Sequence, residues 1–215
     1  ILSGSTGGTT TKITLQHGLI YGRLIKTFGA ERARLYMEAN RRAADMFKEL
    51  SGLFPCDYEE KPNFVYLKND RRKLEAEAEA ARRLGFPAEI AEELPLPFKT
   101  AGAVKFPNQA QFNPVKFFAR LAKDLNIYEK TFVRELAPNK AITGSGTIKA
   151  RKIILATHFP ILNKHGSYFL KMYQHRSYVL ALENAANVGG MYVDEAAEGL
   201  SFRNAQGMLL LGGGS

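Results

Sequence analysis

Two kinds of pattern alternate along this 215-residue chain, and the alternation constrains its fold more than any single motif. Helical stretches come first. Leu19, Ile20, Leu24, Ile25 and Phe28 recur at helical spacing up to Gly29, and Ala33, Leu35, Tyr36, Ala39, Ala43, Met46, Phe47 and Leu50 mark a long amphipathic helix closed by Gly52. A strand over Tyr58–Leu67 follows. Asn69 or Asp70 then caps a charged, mostly exposed helix over Arg71–Leu84, and Ala88–Leu94 reads as a second short helix. A strand over Ala103–Phe106 and a loop over Pro107–Asn113 lead to Asn113-Pro114, a cap followed by a first-turn proline, with Val115, Phe117, Phe118, Leu121, Ala122 and Leu125 as the buried stripe.

Strands are then expected at Ile127–Glu135, Ala141–Thr143 and Thr147–Ala150, the last two joined over Gly144-Ser145-Gly146. Ile153-Ile154-Leu155-Ala156-Thr157 has the unbroken apolar composition of a strand buried on both faces. The final third, over Tyr168–Glu183, Gly190–Glu195, Leu200–Phe202 and Met208–Leu211, reads as antiparallel sheet. The fold class is therefore mixed α/β and α+β, in two domains between which the chain crosses several times.

Glycine and hydroxyl residues crowd both ends of the chain. Ser3-Gly4-Ser5-Thr6-Gly7-Gly8-Thr9-Thr10-Thr11 precedes an apolar segment, and Leu209-Leu210-Leu211 runs into Gly212-Gly213-Gly214-Ser215. Such loops let backbone N–H groups approach a phosphate or a flat cofactor, because glycine has no Cβ to hold a ligand away. The plain alternative is a flexible linker at one end and a Gly-Ser tail at the other.

Composition narrows the class further. With 45% hydrophobic residues the chain can bury a sizeable core, and no apolar run reaches the roughly 18 residues needed to span a bilayer. One cysteine, Cys56, leaves no internal disulfide or multi-cysteine metal site and fits a reducing, cytoplasmic setting. The formal charge of +9 suits nucleic acid, an anionic cofactor or an acidic substrate, although scatter among acids at helical spacing is the pattern of solvated helix faces.

Several segments together resemble the D-amino-acid oxidase and glycine oxidase family of FAD-dependent oxidoreductases. Ser3–Thr10 resembles that family's Ser/Gly/Thr-rich loop beside the flavin, and Lys152–Thr157 its strand ending in Ala-Thr-Gly, with His158 standing where glycine is usual. Thr131-Phe132-Val133 is similar to the strand whose valine backbone faces adenine, and Leu209–Gly213 to a late strand and turn near the flavin. Thr11–Tyr21, His165–Tyr173 and Leu200–Asn204 are similar to a bacterial subgroup in which a Rieske domain often follows. A [2Fe-2S] centre is implied only for such a C-terminal domain, since this chain carries none of its Cys/His ligands. Gly-x-Gly-x-x-Gly and its ribose acid are likewise missing, so the chain reads as an internal fragment that binds FAD poorly.

The resemblance implies a partial Rossmann-like FAD-binding domain from residues 1–57, 107–160 and 206–215, and an antiparallel-sheet substrate domain from 58–106 and 161–205. It implies FAD contacts at Ser3, Gly4, Thr6, Gly7, Thr9, Thr10, Thr11, Val133, Ala156, Thr157, Gly212 and Gly213. Four residues are candidates for catalysis. Lys12 follows the hydroxyl loop as a cation over the flavin or an exposed loop lysine, and His17, with Gln16 and Tyr21 nearby, lines a substrate cavity or acts as a cap. His175 and Arg176, on one strand, are an acid/base and an anion anchor, of which alternation turns only one inward. Arg203 is an anion anchor or a surface or strand-end arginine; His158 and His165 read as structural.

The function these residues suggest is hydride transfer from a small amine or 2-hydroxy acid to FAD, with the electron acceptor undefined and neither nucleic acid nor a membrane span expected. A basic single-stranded nucleic-acid binder using Tyr168, Phe169, Tyr173 and Tyr178 is the competing class. A non-catalytic remnant of the oxidoreductase fold is the third.

Overall fold

In the computed structural model, which describes residues 1–159, 161, 167–196 and 198–213, the first half of the chain runs α1 (Ser5–Gly8), β1 (Lys12–Ile13), α2 (Tyr21–Phe28), α3 (Ala30–Ser51), β2 (Glu59–Leu67), α4 (Arg71–Arg83), β3 (Glu89–Ala91), β4 (Gly102–Gln111) and α5 (Pro114–Ala122). The second half is β5 (Val133–Ala137), β6 (Lys140–Thr143), β7 (Gly146–Lys149), β8 (Tyr178–Leu182), β9 (Met191–Asp194), β10 (Ser201–Ala205) and β11 (Met208–Gly213). Two compact units result. One holds Leu2–Lys123 and Ser177–Ser215, the other Ile1 and Asp124–Arg176.

The larger unit is built on a sheet in the order β1-β4-β2-β9-β10-β11-β8, with β3 also on β4. Every pairing is antiparallel except β2 with β9. β4 is the hub, since it pairs with β1, β2 and β3. Against one face of the sheet lie α2, α3 and α4, around a core of Leu15, Tyr21, Met37, Val65, Leu74, Ala78, Ala81, Val104 and Phe106. A second cluster, Phe64, Tyr66, Ala103, Tyr192 and Phe202, belongs to residues of alternate parity on the same strands, as the two faces of a pleated sheet require. Phe112 and Phe117 anchor α5 in a third, with Phe47 and Phe54 tilted against Phe117.

Local chemistry sets several boundaries as the sequence suggests. Asp70 accepts from the Lys73 N–H at the start of α4, and Asn113 accepts from Val115 and Lys116 ahead of Pro114. Gly29, at φ 84, ends α2 and opens α3, a conformation that glycine adopts without steric cost.

Tertiary pairing overrides other local signals. The 107–111 segment is not a loop but the end of β4, because the β2 register shifts between Lys61 and Asn63 and a bulge absorbs Pro107 and Asn108 opposite Pro62. Ala88–Leu94 forms no helix: so short a stretch gains few i→i−4 bonds, whereas β3 gains a ladder along β4. Rather than being mostly exposed, α4 buries Leu74, Glu77, Ala78 and Ala81 on one face. In α3 the inward stripe is Ala33, Met37, Asn40, Ala44, Phe47 and Ser51, leaving Leu35 and Met46 about 60% exposed, at 59% and 61%.

The smaller unit contains the antiparallel meander β5-β6-β7. Here β5 starts at Val133 and not at Ile127. The run Ile153–Thr157 is not the buried strand its composition suggests. No strand among the described residues pairs with it, and Ile154 is 88% exposed, because a strand buried on both faces needs neighbours on both edges and layers above and below. His175 and Arg176 lie in an irregular, exposed stretch, and the strand starts only at Tyr178. Pro160, His165, Gly166, Gly214 and Ser215 lie outside the described residues. The domain limits expected near 57, 106, 160 and 205 are not marked by these packing units, and that at 106/107 falls within β4.

The start of α2 rests on a carboxylate from another helix. Glu77 of α4, 4% exposed, accepts the N–H groups of Tyr21 at 2.6 Å and Gly22 at 2.9 Å, which are first-turn donors with no partner inside their own helix. Burial raises its carboxyl above the usual range against the effect of those N–H bonds. Glu77→Ala leaves both donors unpaired beside a small void and is expected to cost about 2–4 kcal/mol in urea unfolding. Glu77→Gln keeps the volume and one acceptor and is expected to cost less than half as much; equal losses would place the effect in the charge and the second acceptor and not in packing.

Candidate functional site

The hydroxyl-glycine loop folds on itself before entering β1. Gly4 sits at φ 64, the Thr11 N–H donates to Thr9 Oγ1 at 3.2 Å, and Lys12 Nζ donates to Thr10 Oγ1 at 3.1 Å. Thr11 holds φ 38, a left-handed conformation costly for a β-branched residue, on the order of 1–3 kcal/mol. Strain of this kind is retained where neighbouring structure dictates the backbone path. Here that path brings the loop against β11: a Cβ added to Gly212 would stand 2.9 Å from Ser201 Oγ and 3.6 Å from Thr10 Cγ2. The two glycine-rich segments, some 200 residues apart in sequence, therefore meet. Gly213 follows at φ 139, where a Cβ would come within 2.7 Å of the Gly199 carbonyl oxygen.

Two cavities flank this meeting point. One, of about 480 Å³, is lined by Ser5, Thr6, Thr9, Thr11, Lys12 and His17 from the loop side, and by Asn40, Phe47 and Phe118 from α3 and α5. None of its lining residues is a carboxylate. The second, of about 320 Å³, lies among Gly7, Thr9, Asp57, Glu59, Gln111, Asn113, Arg203 and Leu210. Ser3 is exposed and lines neither.

Lys12 and Arg203 dominate the electrostatics. Desolvation first, and repulsion from Arg203 second, bring the Lys12 ammonium down to about 8 from its ordinary 10.5. Arg203 is a buried residue of β10, 5% exposed, and not a surface or strand-end arginine. Burial lowers its pKa while Glu59 acts in the opposite direction. Its Nε has no hydrogen-bond partner among the described residues, nor has Gln111 Oε1.

His17 stands on the wall of the larger cavity, with Nδ1 2.9 Å from Tyr36 Oη. Its neighbours are structural. Gln16 donates to the Val104 carbonyl and accepts from Asn63, and the Tyr21 hydroxyl donates to the Leu15 carbonyl in the core. His175, Arg176, Val133, Ala156 and Thr157 fall in the other unit, where Thr157 Oγ1 donates to the Phe159 carbonyl at 2.8 Å and the His175 ring lies 5.1 Å from that of Tyr173. His158, standing where the family's glycine is expected, adopts φ 65, the region glycine reaches freely. Glu59, Gln111 and Asn113 were not evident as site residues. Gln111 is hidden by its apparent loop, and only the β4 register shows that it faces Lys12.

Among the described residues no group of His, Cys, Asp and Glu could hold a metal ion, and no helix is long and apolar enough to cross a membrane. A Bacillus subtilis (strain 168) protein, YhfW, named as a Rieske 2Fe-2S iron-sulfur protein, is 33% identical over 98% of this chain, which spans 45% of that protein's length. Among solved structures, L-proline dehydrogenase from P. horikoshii superposes with a TM-score of 0.69 at 16% identity, over 98% of this chain and 59% of that one. Glycine oxidase from Geobacillus kaustophilus gives 0.67 at 18% identity, over 99% and 61%. At those identities the likeness concerns the fold. The sequence model described as FAD dependent oxidoreductase matches residues 1–215, and the chain belongs to that family.

Proposed function

We propose that this chain supplies the flavin-facing loop and part of the substrate wall of an enzyme that oxidises a small amine or 2-hydroxy acid by hydride transfer to FAD. The observation that carries this reading is the junction of the hydroxyl loop with Gly212, beside a cavity lined by hydroxyls and an ammonium and free of carboxylates. That donor set suits a ligand rich in phosphate and carbonyl oxygens, and a residue larger than glycine at 212 would press on Ser201 Oγ beside Thr10. The residues present therefore fit the group. Thr6, Thr9, Thr11 and Lys12 are the side chains that would hold it, with Gly212 permitting close approach of the backbone. FAD, when bound, supplies the hydride acceptor. Hydride transfer from an amine leaves an iminium, and from a hydroxy acid, with loss of the hydroxyl proton to solvent, leaves a keto acid, so this chain's own part is to orient the C–H bond, exclude water and place positive charge where negative charge accumulates.

Lys12 is the residue able to place that charge. Its ammonium is positive below pH 8, is held by Thr10, and has no carboxylate within ion-pair distance among the described residues. The YhfW likeness adds a further element to the proposal: a [2Fe-2S] centre in another part of the whole protein as the route by which electrons leave.

Two outcomes are expected. The full-length protein should carry a flavin absorbance spectrum, and Gly212→Val should lower its FAD content roughly tenfold or more while leaving the far-UV circular dichroism unchanged. A wild-type protein that takes up no FAD on reconstitution would overturn the reading. For Lys12, a group titrating near pH 8 should appear in the flavin spectrum and vanish in Lys12→Met. The same residue gives a stability signature. The unfolded chain keeps Lys12 protonated towards 10.5, so it binds more protons than the native state between pH 8 and 10.5, and this contribution to stability rises with pH across that window in wild type but not in Lys12→Met.

A further inference from the structure

The segment between β1 and α2 is fixed on both sides of its histidine by contacts in which the histidine takes no part. Gln16, buried, donates to the Val104 carbonyl at 2.9 Å and accepts from Asn63 at 2.8 Å. Beyond His17, Gly18 holds φ 76, and a Cβ there would stand 2.7 Å from Glu195 Oε2. The missing Cβ leaves Glu195 room to accept the Leu19 N–H at 2.9 Å, while the Glu195 N–H donates to the Tyr66 carbonyl of β2 at 3.2 Å. His17 is not the helix cap either, because first-turn N–H groups of α2 go to Glu77. The fold thus determines where the ring stands without using it in any of these contacts.

The ring is oriented instead by Tyr36 of α3, whose Oη lies 2.9 Å from Nδ1. Tyr36 is itself propped against the core: its ring centroid is 6.4 Å from that of Tyr21, a fully buried side chain stacked on Phe106. With Nδ1 engaged there, Nε2 is the nitrogen left for the larger cavity, on whose wall His17 stands. The other polar side chains of that wall are hydroxyls, the Asn40 amide and the Lys12 ammonium, which donates to Thr10. Hydroxyls and amides are too weakly basic to take a proton in water, and an ammonium has no lone pair. Among the described residues of the wall, the imidazole is the group suited to accept a proton near neutral pH.

We propose that His17 is the proton acceptor of the oxidation, its Nδ1–H donating to Tyr36 Oη so that Nε2 keeps a lone pair for the substrate, with Tyr36 as the positioning residue. The proposal deepens the reading of the chain as part of an FAD-dependent oxidoreductase and rests on it. From a substrate ammonium, Nε2 takes the proton that occupies the nitrogen lone pair; hydride then leaves the adjacent carbon for the flavin, and the freed pair closes the C=N bond of the iminium. From a 2-hydroxy acid, Nε2 takes the hydroxyl proton as hydride leaves, and the electron pair of the broken O–H bond closes the C=O bond of the keto acid. The exposed ring then returns the proton to water. The titratable groups around His17 are Tyr36 and Tyr21 on the helices, Lys12 on β1, Glu77 on α4, and Glu195, which Lys73 faces at 3.8 Å.

The test uses the full-length, FAD-loaded protein labelled with ¹⁵N-histidine, at a pH where the ring is neutral. NMR should show His17, identified by the signal lost in His17→Gln, as the Nδ1–H tautomer with Nε2 unprotonated, and Tyr36→Phe should move the population towards Nε2–H. This readout needs no substrate. Flavin reduction by whichever of alanine and lactate the enzyme accepts, an amine and a 2-hydroxy acid on one carbon skeleton, should slow roughly 10²–10⁴-fold in His17→Gln and less in Tyr36→Phe. The acid limb of its pH profile, where a protonated imidazole accepts nothing, should vanish in His17→Gln. If His17→Gln fails to fold, His17→Ala takes its place, and added imidazole should restore part of the rate there while leaving wild type unchanged, a rescue that a purely structural histidine would not show.

An Nε2–H tautomer in wild type overturns the proposal, because that nitrogen then has no lone pair to offer. Flavin reduction that is unchanged in His17→Gln, or an acid limb that persists there, overturns it as well. Each of these results leaves the flavin reading standing. Protein that takes up no FAD overturns the flavin reading and, with it, the proton-acceptor role, whatever the tautomer.

Discussion

The pairing of β2 with β4, broken once by the bulge at Pro62 and Pro107, is the constraint on which the larger unit depends. Upstream of the bulge β2 meets the far end of β4, where β1 also pairs, and beyond it the two strands run on through the core to Leu67 and Gly102. The register change lets a nine-residue strand and a ten-residue strand keep apolar residues on both packed faces despite a proline in each. It also decides where Gln111 points. With Glu59 directly opposite, Gln111 bridges β2 and the Asn204 carbonyl of β10, two strands that are not neighbours in the sheet. A flat sheet would keep β4 and β10 too far apart for one side chain, so this cross-link follows from coiling of the sheet, and the cavity containing Arg203 lies at that closure.

Much of the architecture was legible because it is encoded locally. The caps at Asp70 and Asn113, the break at Gly29 and the tight turn before Gly146 are decided by residues within three or four positions of each other. The misread segments are those whose state depends on distant partners. Ala88–Leu94 has helix-compatible composition, yet an open edge of β4 makes it a strand; Pro107 looks like a loop residue, yet a bulge contributed by Pro62, 45 positions earlier, admits it to a sheet. The α3 stripe was misassigned because Leu35 and Met46 are more hydrophobic than Asn40 and Ala44, although the latter are in phase with Ala33 and Met37.

The site divides in the same way. That a hydroxyl-glycine loop and a late glycine pair could border one ligand was readable from residue type, because few other sequences let backbone approach a ligand closely. That Lys12 and Arg203 share one electrostatic environment was not. It depends on β1 lying beside β4, on the Gln111 side chain bridging β4 to β10, and on β10 burying its arginine, three placements none of which has a local signature. His158 shows the converse case. Its identity departs from the glycine that the family resemblance leads one to expect, while its backbone at φ 65 keeps the conformation that a glycine there would serve.

Arg203 is buried outside any ion pair of the described residues, and the acid that acts on it, Glu59, is held by Lys61 and Gln111. The same unit neutralises Asp57 with Lys116, Glu59 with Lys61 and Glu195 with Lys73, and satisfies the buried Glu77 with backbone N–H groups. Nothing in the composition prevented a further acid beside Arg203, since leucine, alanine and methionine positions adjoin it on β10 and β11. An acid there would offset the desolvation of the guanidinium. The fold therefore carries an unfavourable electrostatic term at Arg203 and Lys12, the desolvation that lowers the pKa of both.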